Sequence, residues 1–204
     1  VSVAGHLLGR QIRAMIDAFA ALALDWAYVP LATAPEHVEA GVAGLRALGF
    51  AGANVTIPHK SAVVPFCDEV DEAAGTADSV NTLVVRDGRI HGSSTDIVAL
   101  RQAVDARGKR VLVLGRGGAA KAAAAAYADA EEVTLVSRRD AEWPPQADAF
   151  HVIVNCTPLK DEVPVAVSSH HAVVDMAYRP DGGETALVLA ARLGGCETIV
   201  DGLD

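Results

Sequence analysis

Cysteine is scarce in this sequence and follows no recognisable pattern. It occurs three times in 204 residues, as Cys67, Cys156 and Cys196. An odd number of widely separated cysteines excludes a disulfide framework and lacks the spacing of a metal site. The seven histidines show no metal-ligand spacing either. We therefore expect reduced thiols, no bound metal and a cytoplasmic location.

Long apolar runs and an excess of basic residues are also missing. No apolar stretch is long enough to cross a bilayer and no signal peptide opens the sequence, so we expect no membrane association. The 17 Lys and Arg residues are outnumbered by 26 Asp and Glu, which argues against a nucleic-acid partner because phosphate binding needs a basic face. A few local cations still suffice for a small acidic molecule. We expect a small-molecule substrate and a monomer or homodimer.

The order of predicted elements indicates an α/β fold with two domains. Aromatic residues make up only 4% of the chain and alanine is abundant, which suits helices packed closely on sheets. In the first half, strands at residues 26–31 and 50–57 alternate with helices, which favours a mainly parallel sheet. Asp87-Gly88 between two apolar runs predicts a hairpin, and hence an antiparallel edge. The polar stretch 106–109 has the composition of a hinge. We therefore predict an N-terminal mainly parallel α/β domain at residues 1–107 and a C-terminal Rossmann dinucleotide-binding domain at residues 108–204.

The second half carries a nucleotide-binding fingerprint. Residues 111–114 form an unbroken apolar strand, typical of a sheet covered on both faces. The sequence GRGGAA follows directly and opens an alanine-rich helix. Its first glycine, Gly115, permits the tight turn, and Gly117 lets the backbone approach a pyrophosphate. Gly118 and Ala119 then allow close packing, with the amide-rich helix end facing the phosphates. The alternative is a glycine-rich turn used only for packing.

The next strand carries a signal for the type of cofactor. NAD sites usually place an acidic residue about 20 residues downstream of the glycines, where it binds the ribose hydroxyls. This chain instead has Ser137, Arg138 and Arg139 after its strand at residues 133–136. Arginine offers a planar, permanently charged fork for a 2′-phosphate, which favours NADP. The alternative is a basic turn whose arginines pair with Asp140 or Glu142.

The segment NVTIPHK at residues 54–60 places an amine beyond the end of a strand. Its β-branched residues predict a strand, and Pro58 ends the pairing because it has no N–H to donate. Lys60 then stands just past the carboxyl end of that strand, where ligands collect in open α/β sheets. The alternative is a solvated lysine at the start of the next helix.

These motifs belong to a longer ordered set. The set, spread over about residues 50–202, consists of NVTIPHK (54–60), SVNTL (79–83), TD (95–96), GRGGAA (115–120), SRR (137–139), NCTPL (155–159) and DMAYRP (175–180). In this order the segments resemble the shikimate dehydrogenase family. The resemblance implies NADPH-dependent reduction of 3-dehydroshikimate to shikimate, on the chorismate route to aromatic amino acids, with residues 1–107 as the substrate-binding catalytic domain.

The resemblance also implies roles for residues on the substrate side. Lys60 would donate and accept the proton, with Asp96 beside it on the same hydroxyl. Hydride transfer to a carbonyl carbon needs such a proton transfer at the oxygen. Asn81, Thr56 and Tyr178 would bind substrate. Alternatives remain for three of them: Asp96 is also a reasonable first-turn acid of a helix, Asn81 an ordinary asparagine at a strand end, and Tyr178 a stacking or surface residue.

The remaining implied positions bind the cofactor. Met176 and Gly202 fall near the nicotinamide by this resemblance, although Met176 also suits a core position. The full set of expected cofactor-binding residues is Gly115, Gly117, Gly118, Ala119, Ser137, Arg138, Arg139, Asn155, Thr157, Met176 and Gly202.

Three departures from the family pattern bear on the substrate. The family's Ser-x-Ser-Pro segment has no counterpart in GHLLGRQIR at residues 5–13, where Arg10 and Arg13 are alternative carboxylate ligands or surface residues. Residues 93–96 read SSTD, a milder change, and the terminal helix with its substrate-binding glutamine is not seen after Gly202. Two alternatives to a shikimate dehydrogenase therefore remain: a quinate or other shikimate-like hydroxy acid dehydrogenase, and a degenerate NADP(H)-binding paralogue without turnover.

Overall fold

The structure of the protein is a computed structural model that describes residues 5–179 and 181–202, with side chains from residue 12 onward. The chain divides into two compact units, Val1–Ala34 and Pro35–Asp204. In the first unit, helix α1 spans Gly5–Ala21, as its apolar periodicity predicts. The predicted strand at residues 26–31 is wrong, because the segment pairs with no other strand among the described residues.

The first sheet of the second unit is small and mixed. Its strands are in the order β1-β3-β4-β2. β1 pairs antiparallel with β3, and β3 pairs antiparallel with β4, while β2 and β4 are parallel. The elements of this part are α2 (Val38–Ala47), β1 (Gly52–Asn54), β2 (Glu69–Val70), α3 (Glu72–Thr76), β3 (Thr82–Arg86), β4 (Arg89–Ser93) and α4 (Thr95–Ala103), with 3₁₀ turns at Pro35–His37 and Val64–Phe66.

The predicted mainly parallel arrangement is therefore wrong for this sheet, and a hairpin explains part of the difference. Asp87 and Gly88 both have positive φ, 51° and 72°. This left-handed pair matches the twist of the two flanking strands and folds β4 back antiparallel on β3. The hairpin itself was predicted and is confirmed.

The second sheet consists of five parallel strands in the order β6-β5-β7-β8-β9. Its elements are β5 (Arg110–Leu114), α5 (Gly118–Ala126), β6 (Glu132–Val136), β7 (Val152–Asn155), β8 (Ala172–Asp175), α6 (Ala186–Leu193) and β9 (Thr198–Asp201). The α/β class and the Rossmann sheet are thus confirmed. Leu114 is in register with both Val136 and Asn155, so the segments that follow β5, β6 and β7 meet at one edge of the sheet.

One buried core cluster includes residues from both sides of position 107. Ile97 and Leu100 of α4 pack in the same cluster as Ala123 of α5 and Val113 of β5. The buried Tyr127 hydroxyl donates to the Leu100 carbonyl oxygen at 2.9 Å, which ties α5 to α4. This packing places α5, which follows the nucleotide motif, against α4, which follows the last strand of the first sheet. The division into domains at residues 107 and 108 stays a prediction.

Candidate active site

The register of the first sheet brings three distant segments to one edge. Asn54 at the end of β1 lies opposite Thr82, the first residue of β3, and Thr82 lies opposite Ser93 at the end of β4. The segment after β1, the segment before β3 and the segment after β4 therefore meet at one edge of the sheet. These segments carry Lys60, Asn81 and Asp96.

Lys60 and Asp96 form a close ion pair at this edge. Lys60 Nζ lies 2.6 Å from Asp96 Oδ2, and the two side chains are only 14% and 18% exposed. The Lys60 backbone is fixed as well, because its carbonyl oxygen accepts a 2.8 Å hydrogen bond from the Val80 amide. A charge-assisted hydrogen bond of this length holds the amine in one direction. The expected contact between Lys60 and Asp96 is present.

Asn81 completes a row of three hydrogen-bonded side chains. Asn81 Nδ2 donates to Asp96 Oδ1 at 2.8 Å, while Asn81 Oδ1 accepts from the Thr95 amide at 3.0 Å. Asp96 thus accepts from Lys60 on one oxygen and from Asn81 on the other. Ser94 is the N-cap of α4, with no side-chain capping bond. The two carboxylate oxygens of Asp96 point to Lys60 and Asn81, which argues against a role limited to the helix end.

This arrangement suits proton transfer to a small ligand. A lysine ammonium has three N–H groups, and Asp96 is the one hydrogen-bond acceptor that Lys60 Nζ has among the described residues. The other N–H groups can reach an oxygen of a ligand at the sheet edge. The carboxylate stabilises the charged amine, and the half-buried position of the pair excludes much of the water.

The other expected substrate-side residues lie at two places. Thr56 is exposed in the turn ahead of Lys60, where its carbonyl oxygen accepts from the His59 amide at 2.9 Å. Tyr178 is half-buried in the segment after β8, at the edge of the second sheet. Arg13 lies on α1, and the side chain of Arg10 is outside the described side chains.

The glycine motif has the geometry of a phosphate-binding turn. Gly115 has φ of 121°, which side chains rarely allow, and an added Cβ would lie 3.2 Å from the Cys156 carbonyl oxygen. Gly117, the N-cap of α5, supplies no side-chain acceptor to the first amides of the helix. A Cβ on Gly117 would meet nothing within 4 Å, so there is open space beside this residue. A pyrophosphate fits this end of the helix.

Helix α5 also packs directly against the segment that carries the lysine. An added Cβ on Gly118 would lie 3.0 Å from Lys60 Cβ. The Ser79 hydroxyl donates to the Gly118 carbonyl oxygen at 2.9 Å, and Lys121 Nζ lies 2.6 Å from Asp78 Oδ2. Ala119 follows Gly118 in the same first turn. The nucleotide turn and the amine are therefore adjacent.

The segment after β6 differs from the expected basic turn in one pairing. Arg138 and Arg139 are exposed, and no carboxylate of the described chain forms a salt bridge with either. Asp140 Oδ2 instead accepts from the Ser137 amide at 2.8 Å and from Arg116 Nη2 at 2.9 Å. The bond from the Ser137 amide, and to a smaller extent the bond from Arg116, hold the pKa of Asp140 below its ordinary value. The alternative pairing of Arg138 or Arg139 with Asp140 is not what the structure contains.

Asn155 and Thr157 belong to a buried polar network at the ends of β7 and β8. Asn155 Nδ2 donates to Asp175 Oδ1 at 2.8 Å, and the Thr157 hydroxyl donates to Asn155 Oδ1 at 2.7 Å. The Thr185 hydroxyl donates to Asp175 Oδ2 at 2.5 Å. Burial is the main cause that raises the pKa of Asp175. The network fixes the loops at this edge of the sheet.

Met176 and Gly202 lie beside that network. Met176 is half-buried, with its Sδ 3.5 Å from Cys156 Sγ. Gly202 allows a close approach of two chain segments, because an added Cβ would lie 3.0 Å from the carbonyl oxygens of Asp175 and Ala177. Both residues are therefore at the carboxyl edge of the second sheet, near the nucleotide turn.

Four residues of this region were not predicted from the sequence as functional candidates: Arg116, Lys121, Asp175 and Thr185. Asp175 had a usable signal, since an acidic residue at the end of an apolar strand needs buried partners. The partners of Arg116 and Lys121 lie 24 and 43 residues away in the sequence, so no local pattern indicates them.

The residues from 5 to 179 and from 181 to 202 contain no group of three or more His, Cys, Asp or Glu side chains that could hold a metal ion. Cys67, Cys156 and Cys196 are free thiols. No helix in the same described part of the chain has the length and apolar character needed to cross a membrane.

A Rossmann sheet with a glycine-rich phosphate turn beside a lysine–carboxylate pair suits a nicotinamide dinucleotide-dependent oxidoreductase. Comparison with known proteins narrows this class. Residues 12–83 match the family model of the shikimate dehydrogenase substrate binding domain. The protein named shikimate dehydrogenase (NADP(+)) of Rubrobacter xylanophilus is 37% identical over 238 aligned positions, which cover 98% of this chain and 84% of that protein. The chain belongs to the shikimate dehydrogenase family.

Two further comparisons agree with this assignment. The protein of the same name from Methanothermobacter thermautotrophicus is 42% identical over 144 positions, which span 67% of this chain and 51% of that relative. The crystal structure of shikimate 5-dehydrogenase from Thermus thermophilus, in complex with shikimate, superimposes with a TM-score of 0.80 at 27% identity. That superposition covers 98% of this chain and 83% of the other.

Proposed function

We propose that this chain is an NADP-dependent oxidoreductase that reversibly reduces 3-dehydroshikimate to shikimate in the biosynthesis of aromatic amino acids. One observation carries the proposal. Lys60, whose Nζ lies 2.6 Å from Asp96 Oδ2, packs against Gly118 in the first turn of the nucleotide-binding helix. A proton donor and a site for a hydride carrier are therefore neighbours. The names of the relatives supply the substrate and the cofactor.

The chain's own residues would handle the proton and the orientation of the ring. NADPH, when bound at the start of α5, supplies the hydride. Lys60 Nζ gives its proton to the substrate oxygen in the reduction and takes it back in the oxidation. Asp96 holds the amine in place and stabilises its charged form. Asn81, fixed by Asp96 and Thr95, binds a neighbouring hydroxyl, and Thr56 and Tyr178 complete the substrate side.

The cofactor would lie along the carboxyl edge of the second sheet. Residues 115–119 hold the pyrophosphate through backbone amides, and Ser137, Arg138 and Arg139 hold the 2′-phosphate. Asn155 and Thr157 would support the loop on the nicotinamide side, where Met176 and Gly202 would help to hold the ring. In this proposal residues 1–107 form the substrate domain and residues 108–204 the NADP domain of a cytoplasmic enzyme, as a monomer or homodimer.

The decisive assay compares two ring acids and two cofactors. Purified protein is given shikimate or quinate, each with NADP⁺ or NAD⁺, and the reduced cofactor is followed at 340 nm, the ordinary absorbance assay. We expect the highest kcat/KM with shikimate and NADP⁺. A higher value with quinate would move the substrate to the first alternative. Tight NADPH binding without turnover of either acid would support the second alternative, a binding protein.

The contact between Gly118 and Lys60 gives a separate prediction. Gly118→Ala places a Cβ 3.0 Å from Lys60 Cβ, so the lysine must move by a few tenths of an ångström. Because reaction rates are sensitive to such displacements, we expect kcat to fall about tenfold. Steady-state kinetics with shikimate and NADP⁺ measure the effect, and circular dichroism verifies the fold.

Gly44→Ala is the matched control for this change. Gly44 lies on α2, and a Cβ there meets nothing within 4 Å. This variant should keep the kcat of the wild type. An unchanged kcat in Gly118→Ala would show that Lys60 tolerates the displacement.

A further inference from the structure

Arg116 occupies the second position of the glycine motif and reaches across to the neighbouring strand. Its Nε and Nη2 lie 3.1 Å and 2.9 Å from Asp140 Oδ2. The Arg116 side chain is 61% exposed, whereas that of Asp140 is only 22% exposed. The guanidinium therefore covers the carboxylate and keeps its own outer face open to a ligand at the edge of the sheet.

The carboxylate of Asp140 lies close to the end of β6, the strand after which an NAD site has its acid. β6 ends at Val136, and Ser137 is the first residue beyond it. The chain turns back after Ser137, so that the Ser137 amide donates to Asp140 Oδ2 at 2.8 Å. NAD-binding Rossmann sheets hold the carboxylate that binds the ribose hydroxyls at the end of this second strand. Asp140 is four residues beyond the last residue of this strand, and its bond to the Ser137 amide keeps its carboxylate near the strand end.

A carboxylate at this point opposes the binding of a 2′-phosphate. Like charges that face each other across a short distance weaken binding. A 2′-phosphate is negatively charged, whereas a ribose hydroxyl is neutral. Arg138 and Arg139 are exposed in the same turn and form no ion pair with Asp140. Among the described residues, Arg116 is the one cation in a salt bridge with this carboxylate.

We propose that Arg116 determines the preference of this site for NADP(H) over NAD(H), by neutralising Asp140 and offering its guanidinium to the 2′-phosphate. This inference rests on the proposed function, because it assumes that the site takes a nicotinamide dinucleotide. Without Arg116, the Asp140 carboxylate would have no salt-bridge partner among the described residues, and its charge would oppose the 2′-phosphate that Arg138 and Arg139 attract.

The test is a binding experiment without substrate. Protein fluorescence is titrated with NADPH and with NADH for the wild type, Arg116→Gln, Asp140→Asn and the double variant. We expect Arg116→Gln to raise the Kd for NADPH about tenfold or more, as loss of a charge-assisted contact does, and to leave the Kd for NADH within about twofold. The double variant should regain part of the NADPH affinity, because the repelling charge is also gone.

Two probes separate this effect from a general disturbance of the loop. Displacement of NADPH by 2′,5′-ADP should weaken in Arg116→Gln, while displacement by 5′-AMP should not. Arg89→Gln is the matched control, since Arg89 is 57% exposed and pairs with Glu69 on the first sheet. It should bind both cofactors as the wild type does.

The outcomes distinguish this inference from the proposed function. An equal loss of NADPH and NADH affinity in Arg116→Gln, or no loss of either, would overturn the role of Arg116 and leave the dehydrogenase proposal standing. Failure of the wild type to bind either cofactor would overturn both. Normal selectivity for NADPH without turnover of shikimate would overturn the proposed reaction alone.

Discussion

Replacing Lys60 by methionine is expected to lower kcat about 100- to 10,000-fold, the usual contribution of a positioned acid or base. The methionine side chain is about as long as that of lysine but has no amine to donate a proton, so the packing against Gly118 is largely kept. The proton would then have to come from water, which the 14% exposed position of Lys60 admits poorly. Steady-state kinetics with shikimate and NADP⁺ give kcat.

Binding of the cofactor should be insensitive to the same change. The amides and arginines assigned to the phosphates do not include Lys60, so the Kd for NADPH should stay within about twofold of the wild type. Lys109→Met is the control, because Lys109 precedes β5 at the opposite end of its strand from the glycine motif. A Lys60→Met variant with the wild-type kcat would remove the proton-transfer role of this residue.

Replacing Asp175 by alanine is expected to lower the free energy of unfolding by about 3 kcal/mol, because three buried donors lose their acceptor. The Asn155 side chain, the Ala177 amide and the Thr185 hydroxyl donate to it at 2.8, 2.9 and 2.5 Å. The Thr185 hydroxyl also caps α6 by accepting from the Val188 amide. Urea denaturation at neutral pH, followed by circular dichroism, measures the loss.

Asp175→Asn is the matched variant for this residue. Asparagine keeps one oxygen for the Ala177 amide or Asn155, and the Thr185 hydroxyl can turn to accept from its amide group. The cost should then be about 1 kcal/mol or less. Equal losses for alanine and asparagine would mean that the size of the side chain, rather than its hydrogen bonds, is what matters at this position.

The pH dependence of the wild type has a definite sign at Asp175. Burial raises the pKa of this carboxyl above its ordinary value of 3.8, so the folded protein holds the proton more tightly than the unfolded chain. The proton-linked part of the Asp175 contribution to stability is therefore full below pH 3.8 and is lost as pH rises through the raised pKa, while the hydrogen bonds that Asp175 accepts remain. Asp175→Asn cannot titrate. The stability of the wild type relative to this variant should fall as pH rises across that window.

Local pattern predicted the second sheet well and the first sheet poorly. The strand β5 reads as an unbroken apolar run because both of its faces are buried, and its residues Val111, Leu112, Val113 and Leu114 are 0% exposed. The first sheet has short strands, such as β1 with only Gly52–Asn54. Two or three residues give too little pattern to define pairing direction, so the predicted parallel sheet was wrong. The hairpin was predicted because its two turn residues have a specific backbone requirement.

The sequence by itself determined the nucleotide turn, the lysine beyond β1 and the arginines after β6, since each depends on neighbouring residues in the chain. Their roles stay predictions from that pattern and from the family resemblance. Tertiary structure decided which of them meet. The register of β1, β3 and β4 brings Lys60 to Asp96, 36 positions away, and the packing of α5 brings Gly118 onto Lys60.

The partner of Asp140 shows the same division. The sequence placed Asp140 beside two arginines and left its pairing open. The structure pairs it with Arg116, 24 residues earlier, because β5 and β6 are adjacent parallel strands whose carboxyl ends are in register. A contact between neighbouring loops depends on strand order, and strand order is a property of the folded core rather than of any local segment.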